Sequence, residues 1–281
     1  MSLLKKIKQL KNFEDKKNFY EFYFFTTQIG YIHKFIASKI LFKSSKLILL
    51  NQKIYLLEKN KMKINFILKD IYNIFLSEKV LYKLSGELFP CYEDFIKKEI
   101  FSLDRAAVEF LGIRGYGVHL IAYKKFKSKT KIWIPTRSRK KKIAPGKLDN
   151  TVAGGVGSGE KIHEAIEREA LEEANINRKT LKNAIQVGSI NYDWRNGPYT
   201  LRRDTLFMFD LEVDDNFVPS NLDGEVGNFK LMDWKEVYYL IKNTNRFKKN
   251  CGLVLISFFL RHGLINSKNE KEYEILTRNL N

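Results

Sequence analysis

The chain is poor in cysteine, proline, histidine and acid. Its 281 residues hold two Cys, five Pro and four His. Cys91 and Cys251 stand far apart without a partner at metal-ligand spacing, so neither a disulfide framework nor a cysteine-based zinc site is indicated. A reducing compartment fits that scarcity. No stretch reaches the roughly 18 consecutive apolar residues that span a bilayer. The start, "MSLLKKIKQLKNF", lacks both a sustained apolar core and a small-residue cleavage site. The expectation is a cytoplasmic protein with no membrane partner. Internal repeats and low-complexity tracts are absent, as are a GxxxxGK(S/T) phosphate loop and a nucleophile elbow.

The shortage of acid is the most informative absence. Against 50 Lys and Arg stand 32 Asp and Glu, a formal net charge of +18. Such a balance invites a nucleic-acid partner through counterion release. The basic residues are mostly Lys spread along the whole chain beside abundant Asn, Ile, Phe and Tyr, as an AT-rich coding sequence would give, so the charge selects no partner by itself. The densest run, "RSRKKK" at 137–142, is short. A positive field equally favours encounter with small anionic phosphate compounds.

What is present is globular. Hydrophobic residues make up 44% and charged residues 29%, a composition that folds, and the length suits two modest domains of ~100 to 200 residues. Residues 1–20 read as a polar Lys-rich helix. Short apolar stretches between 22 and 75 mix strand and helix periods and suggest a small α+β module. Residues 86–110 read as a turn at Pro90 and a helix to about Phe110, before a glycine-rich break at Gly112, Gly115 and Gly117. The expected domains are 1–110 and 111–281. In the second, "VHLIAYKKF" and "KIWIPTRS" read as strands, a loop with Pro145 follows, then an acidic helix, three more strands and closing helices. Arg261, His262 and Gly263 form a helix stop.

The acidic helix concentrates what the chain otherwise lacks. At ~100° per residue, Glu169, Glu172 and Glu173 fall on one arc beside an apolar stripe of Ile166, Ala170 and Ala174, while Glu164 and Glu167 point elsewhere into solvent. Two carboxylates ~6 Å apart repel by roughly 3 kcal/mol at an effective dielectric near 20, so three on one face call for protonation or a cation. Hard oxygen donors suit Mg²⁺ or Mn²⁺ completed by substrate phosphates. Arg168, i,i+4 from Glu164 and Glu172, can orient a carboxylate.

Gly154, Glu160, Arg168, Glu169, Glu172, Glu173 and Ile176 reproduce G x5 E x7 R E U x E E x G U, with U a bulky apolar residue. This resembles the Nudix box. Asn175 stands where the pattern has glycine, and Ala170 is a small occupant of an apolar position. Beyond the box, "APGKLDNTVAGGV", "YGVHLIAY", the segment from Arg202 to Met232 and "FKKNCGLVLISFFLRHGLI" are similar to the Nudix subgroup related to thiamin pyrophosphokinase, whose members carry an extra N-terminal module. The resemblance implies an α+β fold: a Nudix α/β/α sandwich with a mixed sheet, preceded by a small α+β module. It implies a Mg²⁺- or Mn²⁺-dependent diphosphatase acting on thiamine diphosphate or its oxy and oxo derivatives. By position it makes Glu169, Glu172 and Glu173 metal ligands, Arg168 their ion-pair partner, and Glu160 and the Ala153 carbonyl additional ligands. It assigns Glu225, preferred to Asp223, as the acid outside the box. Arg137, Lys147, Arg202, Arg203 and Asp204 are the candidate substrate contacts, with Tyr192, Trp194 and Tyr199 as core residues or ring platforms. His33 and His119 read as satisfied histidines. Two other readings stand beside this one: a Nudix hydrolase of nucleoside diphosphate compounds such as ADP-ribose, NADH or nucleotide sugars, and a basic nucleic-acid-binding module on the same fold.

Overall fold

The computed structural model describes residues 2–43, 46–93, 98–127 and 129–280. The chain begins with helix α1 (Leu3–Leu10), strands β1 (Phe19–Phe24) and β2 (Thr27–His33), helix α2 (Lys34–Lys43), strands β3 (Leu47–Leu50) and β4 (Lys53–Leu56), and helix α3 (Lys61–Ser77). Strands β5 (Leu88–Cys91) and β6 (Phe101–Asp104) pair antiparallel and lead into helix α4 (Arg105–Leu111). Then follow β7 (Arg114–Phe126), β8 (Lys129–Arg137), β9 (Val152–Gly155), α5 (Ile162–Ala174), α6 (Arg178–Leu181), β10 (Ile185–Arg195), β11 (Leu201–Glu212), β12 (Val226–Asp233), α7 (Trp234–Asn243), α8 (Lys249–Arg261) and α9 (Tyr273–Leu280).

The first sheet has the order β2-β1-β4-β3, with β1 and β4 parallel. Its cover includes α3, whose Asn60 side chain accepts the Met62 and Lys63 N–H groups at the N-terminus. Ile64, Ile67, Leu68, Ile71, Ile74 and Phe75 recur at helical spacing and are buried. Two expectations fail in this half. Residues 1–20 are not one helix, because α1 ends at Leu10 and Phe19 already opens β1. The helix expected up to Phe110 gives way to β6, where Phe101 and Leu103 are buried in alternation, and Asp104 then caps a helix of seven residues. Residues 94–97 of that expected helix lie outside the described residues.

The second sheet has the order β10-β11-β7-β8-β12, with β9 added to β7, and it is mixed because β11 runs parallel to β7. Alternation along β7 sorts its side chains to two faces. Val118, Leu120 and Ala122 pack with Ile166, Ala170 and Ala174 of α5. Ile121 and Tyr123 pack with Leu255, Phe258 and Phe259 of α8. The sheet is therefore sandwiched between helices, the α+β arrangement expected. Helix α1 lies on the α8 face: Leu3, Ile7 and Leu10 join the cluster of Phe258, Leu276 and Leu280.

One irregularity in this sheet builds the site. Strand β8 pairs with β7 only at 123–126, and β9, unexpected inside the loop, takes the vacated edge of β7 at 117–120. Thr151, fully buried, stitches the fork: its hydroxyl donates to the Trp133 carbonyl at 2.7 Å and accepts the Ala122 N–H at 2.9 Å.

Candidate active site

The fork delivers β9 against helix α5. Along β9, Val118 pairs Gly154 and His119 pairs Ala153. The Ala153 N–H turns away from β7 and donates to Glu173 Oε2 at 2.8 Å. Both polar groups of such a residue face the same strand edge, so the Ala153 carbonyl also faces the acids. Gly154 lies flat under Glu169, where an added Cβ would come within 1.8 Å of the carboxyl carbon.

Helix α5 begins with the Lys161 N–H bonded to Glu164 and ends on Asn175 at φ 53°, the left-handed turn in which Asn substitutes for glycine. The Ser220 and Leu222 N–H groups cap the Ala174 and Glu172 carbonyls and bring the segment holding Asp223 and Glu225 across that end. Glu164 thus caps the helix and Glu167 pairs with Arg178, rather than both standing free in solvent.

Arg168 holds two of the three acids of the face. Its Nη1 lies 2.7 Å from Glu169 and 3.4 Å from Glu172, and its Nη2 donates to the Gly155 carbonyl at 3.1 Å. Nε and Nη2 grip both oxygens of Glu160, which also accepts the Gly157 N–H. Burial would raise Glu160, but these donors hold its carboxyl below the usual range. Glu160 is therefore the seat of Arg168.

Glu169 and Glu173 are 9% and 6% exposed, whereas the Glu172 side chain is 46% exposed at the mouth. Burial, reinforced by Glu169 and Asp149, pushes Glu173 up to about 8. Burial also raises Glu169 despite Arg168. An all-oxygen donor set in which burial disfavours the charged form of two carboxyls is the environment a hard divalent ion fits.

The remaining candidates separate. Glu225 pairs with Lys141, which also feels the charge of Glu173 and Asp223. Arg137 is buried and is not beside the acids: Nη1 holds Asp149, and Nε and Nη2 donate to the Ile143 carbonyl. Lys147 reaches the Asn245 carbonyl. Arg202, partly buried, pairs with Asp204 at 2.7 Å and Glu109 at 3.6 Å, and the Tyr192 hydroxyl donates to Asp204. Arg203 pairs with Asp193 and lies over the Tyr31 ring. Tyr192 is core, Trp194 carries Lys249, and Tyr199 stacks on Phe35.

Asp149, unremarked in the sequence, completes the surroundings with His119 and Cys251. His119, Asp149 and Cys251 bring ligand atoms within 4.8 Å of one another. Asp149 already carries Arg137 at 2.5 Å and Lys248 at 3.5 Å. Burial would raise Asp149, yet Lys248 and Arg137 draw it down to about 2. Burial, helped by Lys248, keeps His119 neutral at about 3. A third cation at that carboxylate would meet two existing ones, so this cluster is a stitch between β7, the β9 loop and α8.

The first half of the chain also touches the site. The Leu88 carbonyl accepts the Ser158 N–H, Glu99 accepts from the Ser158 hydroxyl and the Gly159 N–H, and the Phe89 ring lies where a Cβ on Gly155 would be. Remote partners of this kind leave no local signal in sequence.

Among known proteins, a NUDIX domain model matches residues 115–251, and a domain of unknown function (DUF4743) matches residues 2–115. Nudix hydrolase 20, chloroplastic, of Arabidopsis thaliana is 39% identical over 209 residues, covering 74% of this chain and 56% of that one. Nudix hydrolase 24, chloroplastic, of the same plant is 37% identical over 195 residues, covering 69% and 53%. A Saccharomyces cerevisiae protein is 28% identical over 297 residues, covering 95% of this chain and 86% of that one. The chain spans about half the length of the two plant relatives it matches. Residues 115–251, with the acid-bearing helix at their centre, are a NUDIX domain.

Proposed function

We propose that the protein is a Mg²⁺- or Mn²⁺-dependent diphosphatase that cleaves thiamine diphosphate, or its oxy and oxo derivatives, to the monophosphate and phosphate. The carrying observation is the pair Glu169 and Glu173, buried beside Ala153 and Gly154, with Arg168 on Glu169 and the Ala153 N–H on Glu173. Glu169, Glu172, Glu173 and the Ala153 carbonyl would hold the ion, and Glu160 seats Arg168 beside Glu169 and Glu172. When bound, the cation neutralises diphosphate charge and acidifies water.

The chain's own groups do the rest. Water adds to phosphorus, the bridging P–O bond breaks, and the water's protons pass to a base and to the departing phosphate. Glu225, paired with Lys141, is the proposed base. Arg168 fixes the rotamers of Glu169 and Glu172, so the donors are positioned before substrate arrives. Thiamine compounds are chosen over nucleotides because the similarity to the thiamin-related subgroup runs through segments on both sides of the box.

The test is phosphate release with Mg²⁺ or Mn²⁺ from thiamine diphosphate, its oxy and oxo forms, ADP-ribose and NADH, with Glu172→Gln and Glu173→Gln as controls. Fastest turnover of thiamine compounds, with a loss of roughly 10²-fold or more in both variants, is expected. Preference for ADP-ribose or NADH would retain the chemistry and remove the substrate. No turnover, with salt-sensitive nucleic-acid binding instead, would favour the binding module.

A further inference from the structure

The run at 137–142 contributes one residue to the acid cluster, and its neighbours explain how. Arg137 is 8% exposed, while Arg139, Lys140 and Lys142 point into solvent and Lys141 is half-buried. The buried guanidinium is a pedestal. Nε and Nη2 hold the Ile143 carbonyl at 3.2 and 3.1 Å, and Nη1 holds Asp149. The main chain closes the loop at its base: the Arg137 N–H donates to the Lys147 carbonyl and the Gly146 N–H donates back to the Arg137 carbonyl. At its flank the Ser138 N–H donates to the Glu225 carbonyl, and the Lys141 N–H turns back to Ser138. A loop tied at these points offers the Lys141 ammonium few places to go.

Its ammonium bonds Glu225, with Glu173 and Asp223 also attracting it and Arg137 and Arg105 opposing. Glu169 feels the same charge. Lys141 thus lies among the carboxylates that call for a cation. A divalent ion at Glu169 and Glu173 would repel the ammonium from those acids, yet the loop keeps it within the site. A diphosphate carries more negative charge than one divalent ion neutralises, and a compact, rotatable ammonium suits its oxygens.

We propose that Lys141 is a phosphate-contacting residue, a tethered cation that rests on the acid cluster and transfers to the substrate diphosphate. This rests on the diphosphatase reading for its ligand and deepens it by naming the group that binds the anion. Arg137, expected as a phosphate contact, instead holds the loop that presents Lys141.

The experiment separates anion binding from turnover. Binding of Mn²⁺ to the substrate-free protein, and then of imidodiphosphate to the Mn²⁺-loaded protein, is measured by calorimetry for the native chain, Lys141→Gln, Lys141→Arg and Lys140→Gln. Lys141→Gln is expected to weaken imidodiphosphate about tenfold or more, with Mn²⁺ bound as well as before or better. Lys141→Arg should recover most of the loss, and Lys140→Gln should show none. Unchanged imidodiphosphate binding in Lys141→Gln would overturn the proposal, as would equal losses in Lys141→Gln and Lys141→Arg or a matching loss of Mn²⁺. Absent turnover of thiamine diphosphate would count against the diphosphatase reading alone, since the binding measurements need no hydrolysis.

Discussion

A methyl group at Gly154 would overlap Glu169, and β9 cannot retreat because it is bonded to β7. Gly154→Ala should therefore leave the fold intact by circular dichroism while lowering kcat/KM by roughly 10²-fold through displaced Glu169. Retained activity would show that Glu169 is not fixed by this contact. Glu173 gives a pH prediction. Its carboxyl is raised from 4.5 to about 8, so the native state keeps a proton that the unfolded chain releases between those values. Stability then falls as pH rises through that window. Glu173→Gln, which still accepts the Ala153 N–H, should melt on the order of 5–10 °C above the metal-free native chain at pH 8 and converge with it towards pH 5. Added Mg²⁺ should raise the native melting temperature at pH 8 and leave the variant unmoved. Residues with a local cause were legible here: the acid face follows from helical spacing. Arg137 and Arg202 were not, because their partners Asp149 and Glu109 lie elsewhere in the chain and only folding brings each arginine to its acid.

Among the elements, α5 was legible from end to end because it has period, charge segregation and a stop. Its stop can be tested. Asn175 sits at φ 53°, a conformation that costs a residue with a Cβ about 1 kcal/mol unless its side chain helps. The Asn175 amide does so by donating to the Ser220 hydroxyl at 3.1 Å. Asn175→Ala should lower the melting temperature by roughly 2–4 °C, while Asn175→Gly should hold it. An unchanged Asn175→Ala would mean that the cap contributes nothing. Strands of four residues escaped notice for the opposite reason. β6 and β9 are too short to display a period, and β9 exists only because β8 diverges from β7 at Thr151.

At the scale of the molecule, the first helix belongs energetically to the last ones. Leu3, Ile7 and Leu10 are at most 2% exposed against α8 and α9, and burial of each contributes about 1.5–3 kcal/mol. A fragment of residues 111–281 should accordingly melt lower than the full chain, and a synthetic peptide of residues 2–13 should raise its melting temperature with concentration. Equal melting of fragment and full chain would show that α1 is a passenger. The sequence read as a polar, Lys-rich helix over residues 1–20, and nothing in it named the apolar stripe at Leu3, Ile7 and Leu10 or the surface it would cover. That pairing also sets an order in time. Leu4 meets Glu272 across 268 residues of sequence, and a ribosome adding ~5–20 residues per second needs tens of seconds to join them. A helix made 268 residues ahead of its partner must wait with its apolar stripe uncovered until that partner emerges, so during synthesis the stripe is exposed to chaperones and to aggregation alike.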